Sequence, residues 1–226
     1  MVTGDGLLIP AVPGSVRLTT TTTGIASAAL GTLVRGGWVV GVTKGRFSMI
    51  DLIEATLDQT GPGEVWCSTW TPGIADFERI GRLLQAGTVT RFFLLVDRST
   101  PGRQPQYVQR ILDICGPDAI RMSRTHMKVS LIRAGDWRVS IRGSLNLNTS
   151  PRCENIDICD DGRVFDHFLR VFDEVSETVP PGLHASPGAV DAGFSGLMEA
   201  MSDDRRASLS DQHAGLSALK WKGSER

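Results

Sequence analysis

Two strand-like runs joined by a tight turn stand out in residues 125–155, which read THMKVSLIRAGDWRVSIRGSLNLNTSPRCEN. The runs predicted as strands are residues 126–133 and 137–142, and the Ala-Gly-Asp between them suits a hairpin turn. Residues two apart in a strand project to the same face, so we expect His126 and Lys128 to lie side by side. An imidazole beside an ammonium is suited to chemistry at a phosphoryl centre.

Helix and strand patterns alternate on both sides of this stretch. The expected elements are a helix from Ser48 with a capping box to Asp51, a strand at 64–70, a helix at 74–84, a strand at 89–96, a loop at 97–105, a helix ending near Cys115, strands at 119–122 and 156–159, and an amphipathic helix at 164–175. This alternation predicts an α/β fold with a mixed central sheet flanked by helices.

The chain divides into three expected segments. Residues 1–45 are a Gly- and Thr-rich lead-in, whose short apolar runs are either edge strands or a poorly ordered stretch. Residues 46–180 form the compact domain, and residues 181–226 are a tail or a small interaction segment.

Composition narrows the class of protein. The 226 residues are 41% hydrophobic and 22% charged, with a net charge of −1, as in ordinary globular proteins. The longest uncharged stretch, residues 18–34, contains a run of threonines and is too polar for a membrane span, and no hydrophobic block follows a basic start as in a secretory signal. We therefore expect a soluble, cytoplasmic protein without stable membrane association.

The cysteines argue for a reducing compartment. The four cysteines form no Cys-x-x-Cys pair and have no histidine at finger-like spacing, which speaks against structural zinc. We expect them to serve as small hydrophobic residues in a cytosolic protein.

Positive charge is concentrated around the hairpin. Residues 119–152 contain seven basic residues against Asp136 alone, in a chain that is close to neutral overall. This local excess predicts attraction to phosphate, although solvated strand residues are the alternative explanation. The arginines predicted to bind substrate are Arg124, Arg133, Arg142 and Arg152.

A second group of polar residues follows the hairpin. Gly143, Ser144 and Asn146 come at the end of a strand that returns antiparallel to the first, so a hydroxyl and an amide are expected near His126. Glu154 is expected to accept a hydrogen bond from the far ring nitrogen of His126, which would fix the nitrogen that is free to attack.

These motifs resemble the phospholipase D superfamily, whose signature is His-x-Lys, then Gly-Ser-x-Asn, then an acidic residue. Here they are HMK at 126–128, GSLN at 143–146 and Glu154. The resemblance covers roughly residues 45–178 and implies a phospholipase D-like half-domain, with residues 46–180 as the catalytic domain. The implied catalytic residues are His126, Lys128, Ser144, Asn146 and Glu154.

Two departures from the family pattern matter. Arg133 stands where the family usually has an aspartate, which puts local support and activity in doubt. The chain also has a single His-x-Lys, whereas the chemistry uses one histidine as nucleophile and another as general acid and base. Two-fold symmetry supplies the second histidine most simply, so the resemblance to single-motif nucleases implies a homodimer.

The resulting prediction is a metal-independent phosphodiesterase without a cofactor. We expect a nuclease that acts through a covalent phosphohistidine at His126, on DNA rather than RNA. The alternatives are a phospholipase D-like module that binds nucleic acid with little or no catalysis, and a phospholipid phosphodiesterase or phosphatidyl transferase. Trp66 and Trp70 either stack on bases or pack in the core, and Arg98 and Arg103 either bind the nucleic-acid backbone or are solvated.

Overall fold

One mixed β-sheet organises the part of the chain that the structure, a computed structural model, describes: residues 14–21 and 24–183. Its strand order is β1-β2-β8-β7-β6-β3-β4-β5. The strands are β1 (Val16–Thr21), β2 (Trp38–Thr43), β3 (Gly63–Thr69), β4 (Val89–Asp97), β5 (Ile120–Ser123), β6 (Val129–Ala134), β7 (Trp137–Gly143) and β8 (Glu154–Asp160).

The centre of the sheet is antiparallel, and both margins are parallel. Strands β2, β8, β7, β6 and β3 each run antiparallel to the next, whereas β1 is parallel to β2, and β3, β4 and β5 are parallel to one another. The predicted α/β class with a mixed sheet flanked by helices is confirmed.

Helices cover both faces of the sheet and enclose two apolar cores. The helices are α1 (Ala26–Leu30), α2 (Met49–Thr60), α3 (Ile74–Gln85), α4 (Thr100–Arg103), α5 (Pro105–Cys115), a short 3₁₀ helix (Pro117–Ala119) and α6 (Gly162–Thr178). The larger core includes buried residues of α1, α2, α3 and α5, while α6 covers the smaller core on its own.

Helix α6 is held on the sheet by aromatic contacts. Phe165 meets Trp66 edge to face with ring centroids 6.0 Å apart, and Phe172 meets Phe93 in the same way at 5.8 Å. Such pairs add to the hydrophobic free energy of burying the rings. Trp66 is only 7% exposed and belongs to the smaller core, which favours the core-packing alternative for this residue.

Several local expectations were right. The capping box at the start of α2 is present, with the Ser48 backbone N–H donating to Asp51 Oδ2 at 2.6 Å. The loop predicted at 97–105 was wrong in part, because Thr100–Arg103 form the short helix α4 and α5 begins at Pro105. The lead-in contributes β1 at the sheet edge and β2 beside β8.

The segment boundaries at 45 and 180 stay predictions. Residues 1–13, and residues 184–226 of the expected C-terminal segment, lie outside the described residues.

The start of β6 differs from the prediction. The strand begins at Val129, so His126 and Lys128 lie in the extended chain that leads into it and not within it. The reason is the pairing with β3, which runs from Glu64 opposite Arg133 to Ser68 opposite Val129 and ends there.

Candidate active site

The motif residues meet at one edge of the sheet, where three neighbouring antiparallel strands begin or end. His126 and Lys128 lie just before β6, Gly143 ends β7 and Glu154 begins β8. They surround a cavity of about 350 Å³, whose lining residues are Trp70, His126, Lys128, Gly143, Ser144, Asn146, Arg152, Cys153 and Glu154. The structure thus brings together all five predicted catalytic residues.

His126 and Lys128 are direct neighbours. The Lys128 Nζ lies 3.1 Å from Nδ1 of the His126 ring, and it donates to the His126 backbone carbonyl at 2.9 Å. The ammonium also lies 3.4 Å from Nε2 of the same ring, and because an ammonium only donates, whichever ring nitrogen accepts from it carries the lone pair. The His126 side chain is exposed to the cavity, whereas Lys128 is buried.

Burial also affects the charge of Lys128. It lowers the pKa of the ammonium from its ordinary value, and the nearby Glu154 carboxylate acts in the opposite direction. Desolvation of a cation has this sign because a low-dielectric environment disfavours the charged form.

Glu154 has a different partner from the one predicted. Its carboxylate accepts a hydrogen bond from the Ser144 hydroxyl, and in the described residues it makes no hydrogen bond with His126. The Ser144 Oγ in turn accepts from the Asn155 backbone N–H at 3.0 Å. In this structure Glu154 therefore orients Ser144, because β7 and β8 are adjacent at this point, and its predicted contact with His126 is not formed.

Glycine is required where β7 ends. A Cβ atom added to Gly143 would lie 2.1 Å from the Asn155 carbonyl oxygen, so only glycine allows β8 to approach this closely. This approach sets the distance between Ser144 and Glu154.

Asn146 is held by the end of β3 and the start of α2. The Thr69 hydroxyl lies 3.4 Å from Asn146 Oδ1 and accepts from the Leu147 backbone N–H at 3.1 Å. The Met49 backbone N–H donates to the Asn146 carbonyl at 3.0 Å. Thr69 is buried, so this support is rigid.

Trp70 forms a wall of the cavity that motif analysis did not assign to the site. Its ring centroid lies 5.1 Å from that of His126, and it is 37% exposed. Arg103 holds the indole from outside, with its guanidinium carbon 4.2 Å from the ring centroid and a hydrogen bond to the Trp70 carbonyl at 2.8 Å. Arg103 therefore supports the site through Trp70.

The four arginines predicted to bind substrate occupy different places. Arg152 lines the cavity, and Arg124 is exposed but is not among the lining residues. Arg142 pairs with Asp157 at 2.7 Å, and Arg133 pairs with Glu64 near the far end of β6, about 13 Å along the strand from its start. The geometry thus supports a substrate contact for Arg152 and places Arg133 and Arg142 in ion pairs outside the cavity.

Cys153 is a second cavity residue that the sequence analysis overlooked. All four cysteines are free, but Cys153 alone among them is exposed, and it precedes Glu154 directly. In the sequence, its position next to Glu154 was the only indication that Cys153 belongs to the site.

The described residues contain no group of three His, Cys, Asp or Glu side chains arranged to hold a metal ion. No helix in the described ranges is long and apolar enough to cross a membrane.

Comparisons with known proteins give the following likenesses. No family model and no curated protein matches the sequence. Among solved structures the chain is similar to Nuc from Salmonella typhimurium, a phospholipase D family member, with 13% identity and a TM-score of 0.45 over 64% of this chain and 96% of that one. It is also similar to NucT from Helicobacter pylori, with 12% identity and a TM-score of 0.47 over 64% and 99%. Polyphosphate kinase from Porphyromonas gingivalis has 12% identity and a TM-score of 0.45 over 62% and 26%.

Likeness at this level does not by itself assign a reaction, so the chemistry rests on the site. His-x-Lys, Gly-Ser-x-Asn and the following glutamate come from separate strands and line one cavity at the edge of a mixed sheet. The structure thus brings together, in a mixed α/β sheet, the motif residues on which the resemblance to the phospholipase D superfamily was based.

Proposed function

We propose that the protein is a phosphodiesterase that cleaves a nucleic-acid backbone, DNA rather than RNA, with His126 as the nucleophile and without a metal ion. The observation that supports this most strongly is the convergence of His126, Lys128, Ser144, Asn146 and Glu154 on one cavity of about 350 Å³. An exposed imidazole next to a buried ammonium supplies a nucleophile and a fixed positive charge at one place.

In the first step, a ring nitrogen of His126 attacks phosphorus. The P–N bond forms while the bond from phosphorus to the leaving oxygen breaks, and the leaving oxygen takes a proton from a second imidazole. In the second step, that imidazole removes a proton from water, the water oxygen bonds to phosphorus, and the P–N bond breaks. Imidazole fills both roles near neutral pH because its unperturbed pKa is about 6.5.

The second imidazole is the His126 of another copy of this chain. The described residues place a single histidine in the cavity, and the sequence has one His-x-Lys. A two-fold axis beside the cavity brings two identical rings to opposite sides of one phosphorus. The protein accordingly acts as a homodimer.

Lys128 and Asn146 stabilise the phosphoryl oxygens. In the resting site the Lys128 ammonium is shared between the His126 ring and its backbone carbonyl. When a phosphodiester binds, the ammonium moves to a phosphoryl oxygen, which releases the ring lone pair for attack. The Asn146 amide, held by Thr69, donates to the same group.

Ser144 and Glu154 line the same cavity as His126. Their hydrogen bond fixes the direction of the Ser144 hydroxyl, whose oxygen already accepts from Asn155. Arg152 adds positive charge at the exposed rim, which favours an extended anionic polymer.

The test is hydrolysis of labelled DNA, RNA and phospholipid by the purified protein in excess chelator. We expect DNA products from the wild type, none from His126→Ala, and unchanged rates from His167→Ala, a matched control in which an exposed histidine of α6 is removed. Activity that chelator abolishes, or that survives His126→Ala, contradicts the mechanism. Binding of DNA without products supports the binding-module alternative, and release of a lipid headgroup supports the lipid alternative.

A mixing experiment tests the shared site. When wild type is exchanged with increasing His126→Ala subunits, activity should fall with the square of the wild-type fraction, because each working site needs two intact rings. A linear fall would show that each subunit works alone.

A further inference from the structure

A groove of about 410 Å³ lies directly beside the catalytic cavity. The two spaces share four lining residues: Trp70, Asn146, Arg152 and Glu154. A diester whose phosphorus sits at His126 therefore has one substituent at the entrance to this groove. We call it the flanking groove.

Main-chain and side-chain contacts build the floor of the flanking groove. The Gly73 backbone N–H donates to the Leu147 carbonyl at 2.6 Å, and the Asn148 amide donates to the Thr71 carbonyl at 3.1 Å. A Cβ atom at Gly73 would lie 3.0 Å from the Asn148 Cβ, so the segment after β3 and the loop after β7 are closely packed. The groove is thus a fixed feature of the fold.

The lining of the groove has the chemistry that an unstacked base needs. Trp70 and Tyr107 supply aromatic surface, and Gln104 and Asn148 supply carboxamides. The Asn148 amide nitrogen is used by Thr71, so the side-chain oxygen stays available as an acceptor for a base amino group. Bases in single strands are bound by this combination of stacking and edge hydrogen bonds.

Charge in the groove also fits a nucleotide. Glu154 is the one acidic residue of the lining, and its carboxylate already accepts from Ser144. Arg152 lies at the boundary between the groove and the catalytic cavity and is exposed. A backbone phosphate next to the scissile one would meet this guanidinium.

We propose that the flanking groove binds the nucleoside next to the scissile phosphate with its base unpaired, which makes single-stranded nucleic acid the preferred substrate. This inference rests on the proposed function and adds the strandedness of the substrate. A base that stays paired and stacked in a duplex cannot place its face against Tyr107 or its edge against Asn148.

The experiment compares Tyr107→Leu, Asn148→Ala and the matched control Gln106→Ala, an exposed α5 residue that does not line the groove. Substrates are a single-stranded DNA 12-mer, the same strand with one abasic site at each position in turn, its duplex, and bis(4-nitrophenyl) phosphate, which carries no base. Circular dichroism and thermal unfolding check that each variant is folded.

We expect the wild type to prefer the single strand over the duplex. An abasic site next to the cleaved bond should lower its kcat/KM about tenfold. Tyr107→Leu should show the same loss on the intact strand, no further loss on the abasic one, and a smaller loss on bis(4-nitrophenyl) phosphate, while Gln106→Ala behaves as the wild type. Equal rates on intact and abasic strands overturn the groove assignment.

Failure of the proposed function gives a different result. If His126-dependent hydrolysis of bis(4-nitrophenyl) phosphate is absent, the catalytic proposal fails, and anisotropy with the labelled 12-mer then decides the groove by itself. Weaker binding of the single strand by both Tyr107→Leu and Asn148→Ala, with Gln106→Ala unaffected, supports the groove. Unchanged binding by both groove variants refutes it.

Discussion

Replacing Trp70 by alanine tests whether the indole positions the nucleophile. The Trp70 ring contacts His126, and Arg103 holds the indole in turn. Without the ring, the imidazole keeps its hydrogen bond to Lys128 but loses the surface that limits its rotation. We expect kcat to fall while KM for a small diester stays nearly constant, because the contact matters when the ring must face phosphorus.

The size of the effect follows from the geometry. A centroid separation of 5.1 Å lies within the range in which aromatic pairs contribute about 0.5–1.5 kcal/mol. If all of this is lost in the transition state, kcat falls about 2- to 13-fold. Trp70 is 37% exposed and belongs to neither apolar core, so we expect only a small change in the free energy of unfolding.

The assay is steady-state hydrolysis of bis(4-nitrophenyl) phosphate, which carries no base and therefore separates positioning from base contacts in the flanking groove. Trp70→Phe keeps an aromatic ring beside His126 and should restore most of the rate. An unchanged kcat in Trp70→Ala, or a Phe variant as slow as the alanine variant, would refute the positioning role. Thermal unfolding of each variant excludes global destabilisation as the cause.

Three further predictions concern single groups. Cys153 should be alkylated by iodoacetamide before the other thiols, since burial raises the pKa of Cys115 to about 12 and that of Cys159 to about 11. Peptide mass spectrometry checks the order of alkylation. The Cys153→Ser variant should resist the inactivation that accompanies alkylation of the wild type. Burial lowers the pKa of Lys128, so the ammonium should lose its proton, and the enzyme its activity, at a pH below 10.5. The pH–rate profile should therefore fall at alkaline pH. A Lys128→Arg variant with any activity should lack this alkaline fall. Burial raises the pKa of Asp76 above 3.8, so the native state loses stability as pH rises through that pKa. The Tm of Asp76→Asn should therefore exceed that of the wild type by a margin that grows from pH 4 to pH 8. A margin that shrinks over this range would contradict the prediction.

Local patterns were sufficient for most elements of the fold. The capping box before α2 and the apolar periodicity of α6 are both formed by residues close together in the sequence, and both helices are present. The start of β6 was not predictable in this way, because a strand ends where its partner does. The pairing of β6 with β3 stops at Val129, and β3 lies far away in sequence.

The free positive charge near the site was the property predicted least accurately from the sequence. The excess of basic residues around the hairpin predicted a surface for phosphate, yet Arg133 pairs with Glu64 and Arg142 with Asp157. Both acids come from strands that become neighbours only in the folded sheet. A count over a sequence window includes the cations and misses the partners that neutralise them, so net charge per segment overstates the free positive charge.

The candidate reacting groups were predicted because they belong to the sequence motifs, whereas the residues that orient them lie outside those motifs and were not predicted. His126, Lys128, Ser144 and Asn146 are the groups that we propose to contact substrate, and their spacing follows from two adjacent strands. Their orientation depends on Thr69 and Trp70, which come from the end of β3. That strand is central in the sheet and is paired on both sides, so its end is one of the most rigid points available. A site whose reactive residues lie in loops but are braced from a central strand keeps its geometry while those loops admit an extended substrate, and this is the arrangement that a phosphodiesterase acting on a polymer requires.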